Sequence, residues 1–275
     1  IALNLKKKYK VFGYDINKYN NLKSSKNFIF VKSLEEIFLK TNIFIIIVLN
    51  ENQCQKIFET FIKIKKKLKI TKDQTIINCT TVSPNWVKKT YNNLKKNNFE
   101  YIDCPVSGGP KSARNGRLSL MISSKKSLYK KNLALLKDIG NNIYNLGNKI
   151  GTGSTVKIIN NCLAGIQIIS AAEAIMLAKK EKINLKKVFK IINNSSGQSW
   201  MFADRGKRMI EKKYFKPLSR LSIFKKDMKL ADQLRRKHFI NLPLTKVALK
   251  MYEKGCRQGL ENFDDSGVIR LLKKK

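Results

Sequence analysis

The run Ile43-Phe-Ile-Ile-Ile-Val-Leu49 is continuously apolar, rich in β-branched residues and flanked by polar residues. So short a run, apolar on both faces, is typical of a strand in a parallel sheet that helices cover on both sides. Five further segments have similar compositions: Lys10–Asp15, Phe28–Val31, Thr75–Cys79, Tyr101–Asp103 and Leu118–Ser123. The first half of the chain is therefore predicted to form a mainly parallel sheet.

Amphipathic segments separate these predicted strands. They are Ser33–Lys40, Gln53–Lys67, Asn85–Lys96 and Lys126–Ile139. In the first of them, Ser33 and Glu36 have the spacing of a capping box, in which each side chain bonds the backbone of the other residue. Strands alternating with helices predict a doubly wound α/β domain.

The second half of the chain has a different pattern. Residues 141–153 are rich in Gly and Asn, and helical periodicity continues from there to the end. Ser154–Lys180 is apolar nearly all round, with Val156, Ile159, Leu163, Ile166, Ala174 and Leu177 among its members, which predicts a buried helix. We therefore predict an α/β domain over residues 1–149 and an all-α domain over residues 150–275.

The formal net charge of +38 suggests nucleic-acid binding as one function. Lysine, however, outnumbers arginine and comes with many Asn, Ile, Tyr and Phe, as A/T-rich coding bias alone produces. The sequence also has no ladder of alternating aromatic and basic residues for base stacking. We predict no nucleic-acid partner, with a basic nucleic-acid-binding protein as the rival hypothesis.

The cysteines and the hydropathy indicate the cellular compartment. Five cysteines occur without a C-x-x-C pair, which favours isolated reduced thiols and no metal site. No apolar run approaches the roughly 18 residues of a membrane span, and no export signal opens the sequence. These features predict a cytoplasmic protein without a membrane partner.

Two motifs contain candidate functional residues. In Asp103-Cys-Pro-Val-Ser107-Gly-Gly109, the amides of Ser107, Gly108 and Gly109 can form a concave nest for a carboxylate, although an ordinary Gly-Gly turn has the same sequence. In Gly151-Thr-Gly-Ser-Thr-Val-Lys157-Ile-Ile-Asn-Asn161, Lys157 and Asn161 lie one helical turn apart. A lysine desolvated on an apolar helix can exchange protons near neutral pH, so Lys157 is the candidate general base.

Together with Phe224-Lys-Lys226-Asp-Met-Lys-Leu-Ala, these motifs resemble the β-hydroxyacid dehydrogenase family, which includes 3-hydroxyisobutyrate dehydrogenase. The resemblance covers essentially the whole chain. It implies a Rossmann-type domain followed by helices, Lys157 as catalytic base, and Ser107, Gly108, Gly109 and Asn161 at the substrate. It further implies that Lys226 reaches the nicotinamide end of the cofactor. The segments from Ser195 and from Asp264 resemble the L-threonate dehydrogenase branch.

Other residues are predicted to bind the cofactor. Asp15 stands at the end of the second strand of the intact fold, where an acidic side chain binds the adenosine ribose and repels an added 2′-phosphate. NAD is therefore preferred, and NADP is less favoured. Asp15 also suits a simple turn at the end of a strand. Leu49, Asn50 and Thr81 stand in turns that resemble the family's cofactor-lining turns. These turns follow predicted parallel strands at their carboxyl ends, where ligands bind in such sheets.

The family's first strand and its G-x-G-x-x-G loop have no counterpart in this sequence, which opens at Ile1-Ala-Leu-Asn-Leu. Since the loop glycines let backbone amides approach the pyrophosphate, we expect a truncated start and weak cofactor binding.

The resemblance implies NAD-dependent oxidation of a small anionic 3-hydroxy acid or sugar acid such as L-threonate. The alternatives are a 3-hydroxyisobutyrate dehydrogenase, a related semialdehyde reductase, and a catalytically inactive fragment. The resemblance also implies a homodimer or homotetramer, in which C-terminal helices pack against those of a partner.

Overall fold

The computed structural model describes residues 1–17 and 24–272. The chain divides into two compact units, Ile1–Lys157 and Ile158–Lys275. The strands are β1 (Val11–Gly13), β2 (Phe28–Phe30), β3 (Ile43–Ile46), β4 (Gln74–Asn78), β5 (Phe99–Asp103), β6 (Val106–Ser107), β7 (Ser119–Ile122) and β8 (Asn142–Asn145). The helices are α1 (Ala2–Leu5), α2 (Leu34–Lys40), α3 (Glu51–Lys67), α4 (Pro84–Lys96), α5 (Gly109–Arg114), α6 (Lys126–Ile139), α7 (Thr152–Lys180), α8 (Leu185–Asn193), α9 (Lys207–Ile210), α10 (Leu221–Lys237) and α11 (Pro243–Arg257).

Strand β4 is the central strand of a three-stranded sheet in the first unit. It pairs in parallel with β3 on one side and with β5 on the other. Ile76 packs into one hydrophobic cluster, while its neighbour Ile77 packs into a second cluster on the opposite face. Each isoleucine is fully buried, which contributes roughly 1.5–3 kcal/mol. A strand buried on both faces confirms the doubly wound α/β fold.

Ser33 caps helix α2 as predicted, because its side-chain oxygen accepts a hydrogen bond from the Glu36 N–H at 3.1 Å. The reciprocal half of the capping box is shifted by one residue. The Glu36 carboxylate accepts from the N–H of Lys32 at 2.9 Å, rather than from that of Ser33.

Two of the strands were not predicted from the sequence. Strand β6 is only two residues long and pairs antiparallel with β7. Strand β8 lies inside the segment 141–153, which the Gly and Asn content had marked as irregular, and it pairs in parallel with β7. Its side chains are mostly exposed, so backbone pairing with β7, rather than a hydrophobic pattern, specifies it.

All five cysteines are free thiols, as predicted, and two of them, Cys79 and Cys104, lie next to each other. These two residues follow paired strands, are both buried, and share a hydrogen bond between their side chains. This hydrogen bond and burial raise the pKa of the Cys104 thiol well above its ordinary value.

Helix α7 is only partly buried, contrary to the sequence prediction. Ile159, Leu163 and Leu177 are 60%, 59% and 65% exposed, respectively.

Helix α7 is also long and apolar enough to cross a bilayer, which corrects the expectation that no segment approaches such a span. Half of its apolar window is nevertheless buried in the protein, and core helices pass the same test, so this is weak evidence of a membrane span.

In the second unit, the later part of α7 packs with α10 and α11. The Tyr252 hydroxyl donates to the Gly165 carbonyl at 2.9 Å, and a Cβ at Gly165 would lie 2.6 Å from the Met228 sulfur. The absence of a side chain at Gly165 therefore lets α10 approach α7 closely. The Asp264-Asp265 motif forms buried ion pairs, with Arg208 at 3.0 Å and with Arg205 at 2.7 Å.

Candidate active site

The turn after β6 contains the Ser-Gly-Gly motif. Ser107 ends the strand, and Gly108 and Gly109 follow with φ angles of +128° and +69°. A Cβ at Gly108 would lie 2.7 Å from the Cβ of Ser112, so both the backbone angle and the available space require glycine there. The motif thus forms a sharp turn that leads from a strand into the short helix α5.

The start of α7 is anchored by a buried carboxylate that the sequence analysis did not single out. Asp103, the last residue of β5, accepts hydrogen bonds from the Ser154 hydroxyl at 2.7 Å and from the Ser154 N–H at 3.0 Å. The Ser123 hydroxyl donates to the same carboxylate at 3.0 Å and accepts from the Gly153 N–H at 3.2 Å. Two of the otherwise unpaired amides at the helix N-terminus are therefore satisfied by side chains of the sheet.

Burial raises the pKa of Asp103 above its ordinary value, although the hydrogen bonds from Ser154 and Ser123 act in the opposite direction. The fit around the carboxylate is tight. A Cβ at Gly153 would lie 2.3 Å from the Met121 carbonyl oxygen and 3.1 Å from the Asp103 carboxylate. Glycine at this position lets the helix backbone come close to the sheet.

Lys157 is the sixth residue of this anchored helix and the last residue of the first unit. It is 7% exposed. Long basic side chains rarely become this buried unless other groups compensate for the lost hydration. Its burial matches the environment that the sequence analysis expected for a proton-exchanging amine.

In the second unit, Asp227 links Asn161 to Lys226. The Asn161 side-chain amide donates to Asp227 Oδ2 at 2.7 Å, and Lys226 Nζ lies 2.9 Å from Asp227 Oδ1. Asn161 and Asp227 are both buried, and Lys226 is partly exposed. Two residues predicted separately from the sequence are thus joined by a carboxylate that the prediction omitted.

The turns after β3 and β4 contain three of the predicted cofactor-binding residues. Leu49 is exposed, and Asn50 caps α3 by accepting a hydrogen bond from the Gln53 N–H at 3.0 Å. Thr81 follows β4 and is partly exposed. The two turns are tied together, because the Val48 N–H donates to the Thr80 hydroxyl at 3.1 Å.

Asp15 lies beyond the end of β1 and is exposed. Its carboxylate accepts a hydrogen bond from the Asn17 N–H at 2.8 Å, which is the geometry of an Asx turn. Asp15 therefore has the turn geometry that the sequence analysis weighed against ribose binding.

Two family models match the chain. Residues 1–147 match the model described as the NAD binding domain of 6-phosphogluconate dehydrogenase. Residues 151–272 match the model described as NAD-binding of NADP-dependent 3-hydroxyisobutyrate dehydrogenase. Between them, the two matches account for nearly the whole sequence.

Individual relatives agree with these matches. An L-threonate dehydrogenase of Pectobacterium atrosepticum is 31% identical over 233 residues, which cover 85% of this chain and 76% of that protein. The L-threonate dehydrogenase of Escherichia coli strain K12 is 37% identical over 175 residues, covering 63% of this chain and 57% of that protein. The match thus spans less than two thirds of the length of that relative.

A solved structure is also similar. A 3-hydroxyisobutyrate dehydrogenase from Salmonella typhimurium superposes with a TM-score of 0.81 at 29% identity, covering 89% of this chain and 84% of that chain. The similarity in fold therefore extends through both the sheet and the helices.

Proposed function

Because this chain belongs to the 3-hydroxyisobutyrate dehydrogenase-like β-hydroxyacid dehydrogenase family, we propose that it oxidises a small 3-hydroxy acid or sugar acid, such as L-threonate, with NAD. One observation carries the proposal. Lys157 is buried on a helix whose start is fixed to the sheet by Asp103. A buried amine on a rigid support is what a general base requires.

Lys157 acts as the base that accepts the proton of the substrate hydroxyl at Nζ. This role needs a neutral amine, and removal from water favours the neutral form of an amine in general. When bound, the nicotinamide supplies the chemistry of hydride acceptance from the carbinol carbon.

The turn Ser107–Gly109 and the Asn161 amide bind the carboxylate and hydroxyl of the substrate. Backbone amides at a glycine turn and a side-chain amide donor both suit an anionic oxygen. Their contribution is positional, because a fixed carboxylate limits where the carbinol hydrogen can point.

The strand-end turns fit a dinucleotide. Leu49 is exposed at the carboxyl end of β3, and Thr81 follows the neighbouring strand. The exposed carboxylate of Asp15 suits the ribose hydroxyls of NAD and disfavours the 2′-phosphate of NADP. Lys226 serves as an electrostatic helper at the nicotinamide end.

The exposed stripe of α7, formed by Ile159, Leu163 and Leu177, supports a homo-oligomer. Apolar side chains exposed along one helix are typical of an interaction surface. A homodimer or homotetramer through the helical unit is therefore part of the proposal.

The test is a substrate panel with the 275-residue chain. L-threonate, other four-carbon sugar acids and 3-hydroxyisobutyrate are each incubated with NAD+ and with NADP+, and formation of the reduced cofactor is followed. Because weak cofactor binding is expected, the assay uses high cofactor concentrations; we then expect reduction of NAD+ by at least one sugar acid and slower reduction of NADP+. A preference for 3-hydroxyisobutyrate would select the alternative substrate. No turnover, together with nucleic-acid binding that falls steeply with salt, would contradict the enzyme assignment.

A further inference from the structure

We propose that Asp227 is a positioning residue that holds the Asn161 amide in one orientation, in which it donates a hydrogen bond to an anionic oxygen of the substrate. The inference rests on the proposed function and deepens it. The ligand atom that faces Asn161 is then a hydrogen-bond acceptor.

The hydrogen bond between Asn161 and Asp227 fixes which end of the amide faces the carboxylate. Asn161 Nδ2 lies 2.7 Å from Asp227 Oδ2, and both residues are buried, at 8% and 2% exposed. An ionised carboxylate only accepts hydrogen bonds, so the amide must present its NH2 group to it. The reverse orientation would place two oxygen atoms in contact.

The other end of the amide is held by a neighbour. Asn160 Nδ2 donates to Asn161 Oδ1 at 3.1 Å. Both the oxygen and one N–H of Asn161 are therefore engaged within the described part of the chain. The second N–H is the group that remains for a ligand, and it complements a carboxylate or hydroxyl oxygen.

Lys226 supplies the counter-charge that a buried carboxylate requires. Its Nζ lies 2.9 Å from Asp227 Oδ1, an ion-pair contact without hydrogen-bond geometry, while Asn161 donates a hydrogen bond to Oδ2. Removing one member of such a buried group leaves the others uncompensated. Lys226 therefore compensates the charge of the carboxylate that orients Asn161.

The first experiment is Asp227→Asn, which keeps the shape of the side chain but removes its charge. The new amide can present either its oxygen or its NH2 group, so the orientation of Asn161 is no longer fixed. We expect KM for the hydroxy acid to rise by about tenfold or more, as for loss of a hydrogen bond to a charged group, while the Kd for NAD+ changes by less than about twofold.

Asp232→Asn is the matched control on the same helix. Asp232 is also nearly buried and accepts from Arg235 at 2.7 Å and from Arg236 at 2.8 Å. Its loss should leave KM within about twofold of the parent value. An equal effect of both variants on KM would overturn the positioning role.

An exchange variant separates positioning from a structural role. Asn161→Asp combined with Asp227→Asn preserves a hydrogen bond between the two positions but places a carboxylate where the substrate anion binds. We expect the midpoint of thermal unfolding to recover toward that of the parent, while KM stays high. Recovery of KM together with stability would show that Asp227 is only structural, and an unchanged KM in Asp227→Asn alone would also overturn the proposal.

NMR of the asparagine side-chain amides tests the orientation of Asn161 without measuring turnover. The Asn161 signals are assigned by their loss in Asn161→Ala. We expect one Asn161 amide proton shifted downfield in the parent chain, lost in Asp227→Asn, and perturbed by L-threonate. Identical Asn161 signals in parent and Asp227→Asn would refute the fixed orientation. A fixed amide in a chain that neither binds nor oxidises any hydroxy acid would instead refute the proposed function, and with it the substrate part of the inference.

Discussion

The Ser154 hydroxyl donates a hydrogen bond to the Asp103 carboxylate across 2.7 Å, joining the first turn of α7 to the end of β5. The two residues are 51 positions apart in the chain, and both are fully buried. This contact connects the sheet to the helix on which Lys157 lies. The stability of the fold and the position of the proposed base therefore depend on the same pair.

Replacing Ser154 with Ala should destabilise the protein. The variant removes a buried hydrogen bond to a carboxylate, which costs about 1–3 kcal/mol. Urea unfolding measures the loss. Ser170→Ala is the control, because Ser170 is an exposed residue of the same helix, and its replacement should change the free energy of unfolding by less than about 0.5 kcal/mol. Equal losses in both variants would contradict the anchoring role.

Asp103 should give the stability a distinctive pH dependence. Since burial raises its pKa above the ordinary value of 3.8, the folded state holds this proton more tightly than the unfolded state. Its contribution is fully present below pH 3.8 and is lost as the pH rises through the folded pKa. The free energy of unfolding of the parent, relative to Asp103→Asn, should therefore fall as the pH rises above this value. A relative free energy that rises over that range would refute the assignment.

Asp138 should show the opposite sign. The Lys8 ammonium donates to its carboxylate at 2.6 Å and the Tyr9 hydroxyl at 2.9 Å, and the hydrogen bond from Lys8 is the main reason that its pKa is lowered. The stabilisation is present above the ordinary value of 3.8 and is lost as the pH falls through the folded pKa. Asp138→Asn should therefore remove part of the acid sensitivity, as measured by unfolding at a series of pH values. If the free energy of unfolding of Asp138→Asn fell with decreasing pH as steeply as that of the parent, these contacts would add nothing to stability in solution.

Lys157→Ala should abolish turnover while leaving the Kd for NAD+ within about twofold, because the base acts on the substrate rather than on the cofactor. Turnover and NAD+ binding are measured on the same preparation. Lys180→Ala, at the exposed end of the same helix, controls for loss of one positive charge and should keep the parent rate. Substantial turnover by Lys157→Ala would exclude Lys157 as the base.

Much of the α/β unit was predictable because its signals are local. Runs such as Ile43–Leu49 and the amphipathic segments between them indicated strands and helices close to those observed. Strand β8 was not predictable, since its backbone pairs with β7 while its side chains remain largely exposed. For α7, the apolar composition indicated burial, whereas the elements of the second unit leave one stripe of it exposed.

The candidate site was predictable only in part. Lys157, Asn161 and Lys226 stand in motifs that resemble those of a known family. The two carboxylates that hold this region, Asp103 and Asp227, bond to residues 51 and 66 positions away, so no sequence spacing indicated their partners. A polar residue ending a buried strand was the only local signal for Asp103.

Strand β3 lies at the border of its three-stranded sheet, and β1 and β2 form a separate sheet. Within the described residues, β3 therefore has one hydrogen-bonded neighbour, and Ile43 and Ile47 are 40% and 51% exposed. A strand with unpaired backbone groups on one side is a template for adding strands from other molecules. The charge of +38 keeps copies apart at low ionic strength, and added salt screens that repulsion. We therefore expect added salt to lower the solubility of the chain, with the border at β3 as the surface through which copies associate.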